Sequence, residues 1–255
     1  MGTLMKYEFI RSWSNIFWIL VTAIGLEIGF LVTWWMKSDY IGLFFVGLTF
    51  LMAFTVFFIY LNGIKMFSDD LNKKEGYMIF MTPNSAYKIM GAKLLSVICI
   101  ATGLSLFMAL LFVIDGLILG DANTWSNMQL FFQEMNVDYG IDVKTMLGMG
   151  AITILYAYLS LVVLVIFGYF AISLSATLFQ NIKRRGVITF FIIVGLLALI
   201  SWLEMQLGWG NISMENVTTV QEFMIHQIPS TILEVVCAFF AFLGSGYLLD
   251  HKISL

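Results

Sequence analysis

The sequence predicts an all-α integral membrane protein: six transmembrane helices, with both termini on the cytoplasmic face. Three observations carry this. The 255 residues are 60% hydrophobic with a mean hydropathy of +0.93, whereas soluble domains are about 45–50% apolar. The apolar residues gather into six runs of about 20 residues or more, the length that crosses a hydrocarbon core. The basic residues between those runs fall almost wholly on one side, which orients the chain.

Taken in order, the runs cover about 16–36, 41–64, 90–119, 146–179, 187–207 and 229–249. The third and fourth are overlong, since 30 residues of helix reach about 45 Å, and are expected to tilt or project beyond the bilayer. The whole chain, 1–255, reads as a single membrane domain. Of 13 basic residues, 11 lie on the side of the termini: Lys6 and Arg11 before the first run, five between runs two and three, Lys183, Arg184 and Arg185 between runs four and five, and Lys252 after the sixth. Only Lys37 and Lys144 lie on the other side. An even number of spans also puts both termini on one side, so count and charge agree. The expected location is a plasma membrane, multi-pass and bacterial.

Ahead of the first run, Lys6 and Arg11 would suit a signal peptide, but the run is too long and lacks a small-x-small cleavage site. It is expected to be a retained span. Met5, Phe9 and Trp13 recur every four residues, with Glu8, Arg11 and Asn15 on the opposite face. That spacing predicts an amphipathic helix over about 4–15, lying at the cytoplasmic interface; the alternative is a cytosolic extension of span one. On the other side, the loops carry Asp121, Glu134, Asp138, Asp142, Glu215 and Glu222. Helical spacing of Met128, Phe131, Phe132 and Met135, and of Met214, Val217, Val220, Met224 and Ile228, predicts a short interfacial helix in each, the second ending at Pro229. Asn211-Ile212-Ser213 and Asn216-Val217-Thr218 match the N-glycosylation pattern, a short pattern that arises by chance.

The segment from Lys65 to Leu95 concentrates charge: eight of its 31 residues are charged, in a chain where 11% are. Ser68, Asp69 and Asp70 are helix-starting residues, with lysines following as the helix dipole favours. Gly76 is placed to end that helix. Thr82-Pro83-Asn84-Ser85 makes a break, and Ser85 can cap the helix that becomes span three. The pattern is a short mixed-charge cytoplasmic helix, a stop, a turn and a span, and such a knob suits docking to another protein.

Enzyme chemistry finds no support. There is no G-x-x-x-x-G-K-[ST], H-E-x-x-H or G-x-S-x-G, hence no phosphate-cradling loop, zinc-protease helix or nucleophile elbow. His226 and His251 fall on opposite sides of the membrane and cannot share a metal. Cys99 and Cys237 lie in apolar runs and read as small apolar fillers. Glu27 sits mid-way along span one, where a carboxylate costs about 2.5–3.5 kcal/mol to insert, so it must face protein or water. Glu234 lies in the outer third of span six. Asp115 and Glu204 lie close to the outer ends of spans three and five. Glu27 and Glu234 are candidates either for a structural role or for a translocation path. Gly25, Gly29 and Gly103 predict close helix approach.

The arrangement resembles the permease subunits of type-2 (ABC-2) ATP-binding-cassette exporters. The likeness in topology covers the chain, and the likeness in sequence is confined to Gly76-Tyr77-Met78-Ile79-Phe80, Thr82-Pro83-Asn84-Ser85, Lys88 and Gly91-Ala92-Lys93-Leu94-Leu95. That resemblance implies an amino-terminal elbow helix and a coupling helix in the loop 65–89. Asp69, Asp70, Lys73, Lys74, Glu75 and Gly76 would dock into a separate ATPase subunit. It implies a second permease subunit, identical or related, and an amphipathic or hydrophobic substrate (peptide, drug or lipid-like) moved outward. ATP and magnesium would bind in the partner ATPase, with no cofactor on this chain. Membrane lipid is the other expected contact, around Asn181–Gly186; no nucleic acid is expected. Two rivals stand beside it: a proton-coupled secondary transporter with Glu27 as relay, for which no internal repeat is visible, and a membrane scaffold or sensor using the same cytoplasmic helix.

Overall fold

A computed structural model describes residues 2–38, 40–72, 85–120, 126, 129–130, 133, 142–178, 185–208 and 219–252. The described residues form six long helices and no strand. These are α1 (Gly2–Trp35), α2 (Ile41–Asn72), α3 (Ala86–Leu119), α4 (Val143–Leu178), α5 (Arg185–Gln206) and α6 (Val220–Lys252). All six are long and apolar enough to cross a membrane. They gather into two compact units, Met1–Gly120 and Asp121–Leu255.

In the first unit α1 and α3 run parallel and α2 runs antiparallel to both. The inward face of α1 is a stripe of Glu8, Ser12, Ile16, Ile19, Ala23, Glu27 and Phe30. Its spacing of 4, 4, 3, 4, 4 and 3 repeats every eleven residues, close enough to the helical period to keep one face on its neighbours for six turns. The rest of the helix turns outward, with Trp13 60%, Trp18 64% and Trp35 87% exposed. Apolar groups that would be buried in a soluble domain lie on the surface, which is the signature of a lipid solvent. Hydroxyls inside the helices are satisfied locally: Thr22, Thr33, Thr49, Thr55 and Thr102 each donate to the carbonyl four residues back.

The predicted interfacial helix is not separate from span one, because α1 is continuous from Gly2 to Trp35. Its polar residues, Glu8, Arg11 and Ser12, turn toward α2 and α3, while Tyr7, Ile10 and Trp13 face outward. Likewise α2 does not stop after span two. Ser68, Asp69 and Asp70 form part of its last turns, where the sequence predicted the first turn of a new helix. Ser85 does occupy the N-cap of α3, with its carbonyl accepting from Lys88 and Ile89 at 3.0 and 3.2 Å, but its side chain makes no capping hydrogen bond. The turn between α1 and α2 closes with Ser38 N–H donating to Thr33 and Lys37 N–H to Trp34, both at 3.0 Å, and Lys37 at φ 48°. This is the left-handed helix stop that glycine usually provides.

In the second unit α4 and α6 run parallel. Gly148 lies against Val220, Tyr156 donates to the Gln227 carbonyl, and Phe170 covers Gly244. Helix α5 returns antiparallel to α4, joined to it by a 2.9 Å bond between Ser175 and Thr189, both buried. The predicted stop at Pro229 does not occur, since α6 runs through it. Proline removes the N–H that would donate to the carbonyl four residues back, that of Ile225; the neighbouring carbonyl of Gln227 is amply supplied. Ser230 and Thr231 hydroxyls donate to it at 3.0 and 2.8 Å, together with Tyr156. The helix opens with a reciprocal capping box, Thr219 N–H to Glu222 Oε2 at 3.2 Å and Glu222 N–H to Thr219 Oγ1 at 3.3 Å. The other interfacial helix predicted before α4, and Asn211–Thr218, fall largely outside the described residues. Cys99 and Cys237 are free thiols.

The glycines predicted to pack closely divide. A methyl added at Gly29 would overlap the Phe44 ring of α2, whereas Gly25 and Gly103 have open space. Gly29→Ala is therefore expected to destabilise the protein by about 1–3 kcal/mol through overpacking. Gly25→Ala should be neutral or stabilising by up to about 1 kcal/mol through helix propensity. Thermal unfolding of both variants in detergent checks the contrast; equal effects would place the α1–α2 contact elsewhere.

Candidate functional site

At the end of the first unit that carries the start of α1, the end of α2 and the start of α3, five charged side chains meet. Lys93 of α3 is at the centre, with its side chain 2% exposed. Its ammonium pairs with Glu8 of α1 and Asp70 of α2, whose side chains are 4% and 2% exposed. Its third donor direction is taken by the Met66 carbonyl at 3.2 Å. Arg11, one turn beyond Glu8 on α1, spreads its guanidinium over consecutive residues of α2, Nη1 to Asp70 Oδ1 at 2.8 Å and Nη2 to Asp69 Oδ2 at 2.7 Å. One turn further in, Asn62 Nδ2 donates to Ser12 Oγ at 3.2 Å.

The local sequence explains the placement. Glu8, Arg11 and Ser12 share a face at spacings of three and four, as do Asn62, Met66, Asp69 and Asp70 on α2. Lys93 lies on the buried stripe of Ile89, Met90 and Val97. Moving such charges out of water is expensive, and only pairing with full hydrogen bonding repays it. Beside the cluster, α1 and α2 enclose a polar cleft of about 230 Å³, lined by Arg11, Ser12 and Asn15 on one wall and Asn62, Lys65, Met66 and Asp69 on the other.

The structure thus brings Asp69 and Asp70 together, but into an internal cluster. Asp70 is 1% exposed, and Asp69 is partly covered by Arg11. Lys73, Lys74, Glu75 and Gly76 lie outside the described residues. Glu27 is 6% exposed and lies within electrostatic reach of Asp115 of α3. Glu234, in the other unit, is half-buried on α6 and accepts from Ser160 Oγ of α4 at 3.4 Å, with Glu204 of α5 in electrostatic reach. Among the described residues no group of three or more His, Cys, Asp or Glu side chains is arranged to hold a metal ion.

Compared with protein-family models, with curated proteins and with solved structures, the chain matches none. The assignment of function rests on the residues themselves.

Sequence reasoning missed Arg11 and Lys93 as partners of the two aspartates, Glu8 as the second carboxylate on Lys93, and Asp115 as the neighbour of Glu27. The available signal was that charges on otherwise apolar faces must pair. Lys93→Met removes the central cation and leaves two buried carboxylates facing each other. It is expected to destabilise the protein by about 3–5 kcal/mol. Adding Glu8→Gln should recover part of that loss, with a coupling of about 1 kcal/mol or more in a double-mutant cycle. Additive losses would show that the two side chains do not interact.

Proposed function

We propose that the chain is the membrane-spanning permease subunit of an ATP-binding-cassette exporter, driven by ATP hydrolysed in a separate subunit. The observation that carries this reading is the way the segment between α2 and α3 is anchored. Its α2 end is held through Asp69 and Asp70 to Arg11 of α1, its α3 end through Lys93 to Glu8 one turn away on α1, and Lys93 also pairs with Asp70. A displacement applied to residues 73–84 is therefore delivered to three helices at once. A solvated loop that only fixed topology would need no such anchorage.

In this reading the charged end of the first unit faces the cytoplasm, as the distribution of basic residues requires. Lys73, Lys74, Glu75 and Gly76 meet the ATPase, and Asp69 and Asp70 secure the base of the segment. Two permease subunits, alike or related, pair with two ATPase subunits, and the substrate passes between the six-helix halves as the ATPases close. The cargo in this reading is amphipathic or hydrophobic (peptide, drug or lipid-like). A proton relay through Glu27 would need a next carrier, and the described spans of the first unit offer only Asp115. Nothing specific favours a scaffold or sensor.

The test is affinity purification of the tagged chain from its native cell, with mass analysis of what stays bound. An ATPase subunit is expected with the wild-type chain. Gly76→Pro, and a triple change of Lys73, Lys74 and Glu75 to Ala, should lower its recovery about tenfold or more, equivalent to about 1.4 kcal/mol of lost binding. Lys6→Ala should leave recovery unchanged. A stable complex containing no ATPase would overturn the reading.

A further inference from the structure

We propose that Glu27 and Asp115 form a proton-binding site, in which a single proton held between the two carboxyl groups ties α1 to α3. The inference is independent of the exporter assignment.

The sequence isolates the two residues. From Ser12 to Trp35, from Ile41 to Ile64 and from Leu94 to Leu119, Glu27 and Asp115 are the only charged side chains. They lie on different helices, 88 positions apart, yet they meet. Pairing of the only two carboxyls in three apolar stretches is not expected from packing alone, because like charges repel.

The atoms then specify the missing partner. Glu27 Oε1 and Asp115 Oδ1 are both buried and, among the described residues, accept from no donor. Buried acceptors without a donor are rare, and each calls for an explanation. Two carboxylates have no hydrogen to share, whereas a protonated carboxyl is a donor. One proton placed between these two groups supplies both orphan oxygens with a single bond. Among the described residues of the first unit no other donor is placed to serve them. The part of α2 packed here presents Phe44 and Gly47, and the facing stretches of α2 and α3 carry no Lys, Arg or His. The other titratable groups of these stretches, Tyr60 and Cys99, lie far along the helices toward the charged end. The site thus takes up one proton and keeps one negative charge, and the proton bridges helices that their neighbours do not otherwise cross-link at this level. When the proton leaves, two carboxylates are left in contact and the bridge becomes a repulsion.

Infrared spectroscopy of the full chain in lipid nanodiscs tests this, because a protonated carboxyl absorbs apart from a carboxylate and shifts in heavy water. At neutral pH the wild type should show a protonated-carboxyl band that disappears as the pH is raised, with a matching gain of carboxylate. Glu27→Gln and Asp115→Asn should each remove that band, since an amide donates to the remaining carboxylate without a proton. Glu234→Gln should leave it in place. Replacing potassium with sodium should not change its amplitude. If the wild type shows carboxylate bands alone at neutral pH, or if the band survives in both amide variants, the proposal fails. A band that falls when sodium is added would make the pair a metal-cation site and overturn it equally. Should one amide variant fail to fold, the other variant and the wild-type titration still decide the matter.

Discussion

The first three-helix unit depends on one contact, the Lys93 ammonium held between Glu8 and Asp70. A lysine with 2% of its side chain exposed is strongly destabilising unless its charge is paired. Each carboxylate comes from a different helix, so pairing the buried ammonium aligns α1, α2 and α3. Arg11 extends the constraint by tying Asp70 a second time and covering Asp69. Lys93 shares its helix face with the buried Ile89, Met90 and Val97, and its four-carbon stem suits an apolar stripe that ends in a charge.

The two units achieve cohesion with different chemistry. In lipid, burying apolar surface does not by itself drive helices together, so packing and polar contacts decide which faces meet. The first unit relies on formal charge at one end. The second relies on neutral donors: the Tyr156 hydroxyl on a carbonyl, Ser175 against Thr189, and Ser160 on Glu234. Close approach supports both. Gly29 admits Phe44, and Gly244 admits Phe170 with the nearest ring carbon 2.9 Å from where a Cβ would sit.

Six helices were legible because a run of about 20 apolar residues has few other solutions. Their ends were not, and the reasons are specific. Ser68-Asp69-Asp70 has the composition of a helix start, and acidic residues in a final turn oppose the helix dipole. Arg11 and Lys93 offset that penalty, and neither is near in sequence. Pro229 reads as a stop because proline removes a helix hydrogen bond, a loss that membrane helices tolerate. The face of α1 bearing Glu8 and Arg11 reads as water-facing because polarity normally faces water, whereas in a membrane protein it points equally well to a partner. Glu27 was visible as an anomaly, yet its partner was not, since Asp115 near a helix end looks affordable by itself. Long-range pairing of charges is the information that one-dimensional periodicity lacks.

The turn around Pro229 differs in mechanical character from the charged cluster. A carbonyl oxygen has two lone pairs, and that of Gln227 is approached by three hydroxyls. Any one of them can leave without orphaning the acceptor, so this stretch of α6 exchanges partners at little enthalpic expense. The contacts of Lys93 are not interchangeable in that way, because losing either leaves a charge unpaired. One molecule therefore contains both a clamp whose contacts cannot be exchanged and a stretch of α6 where the hydrogen-bond donors are in surplus.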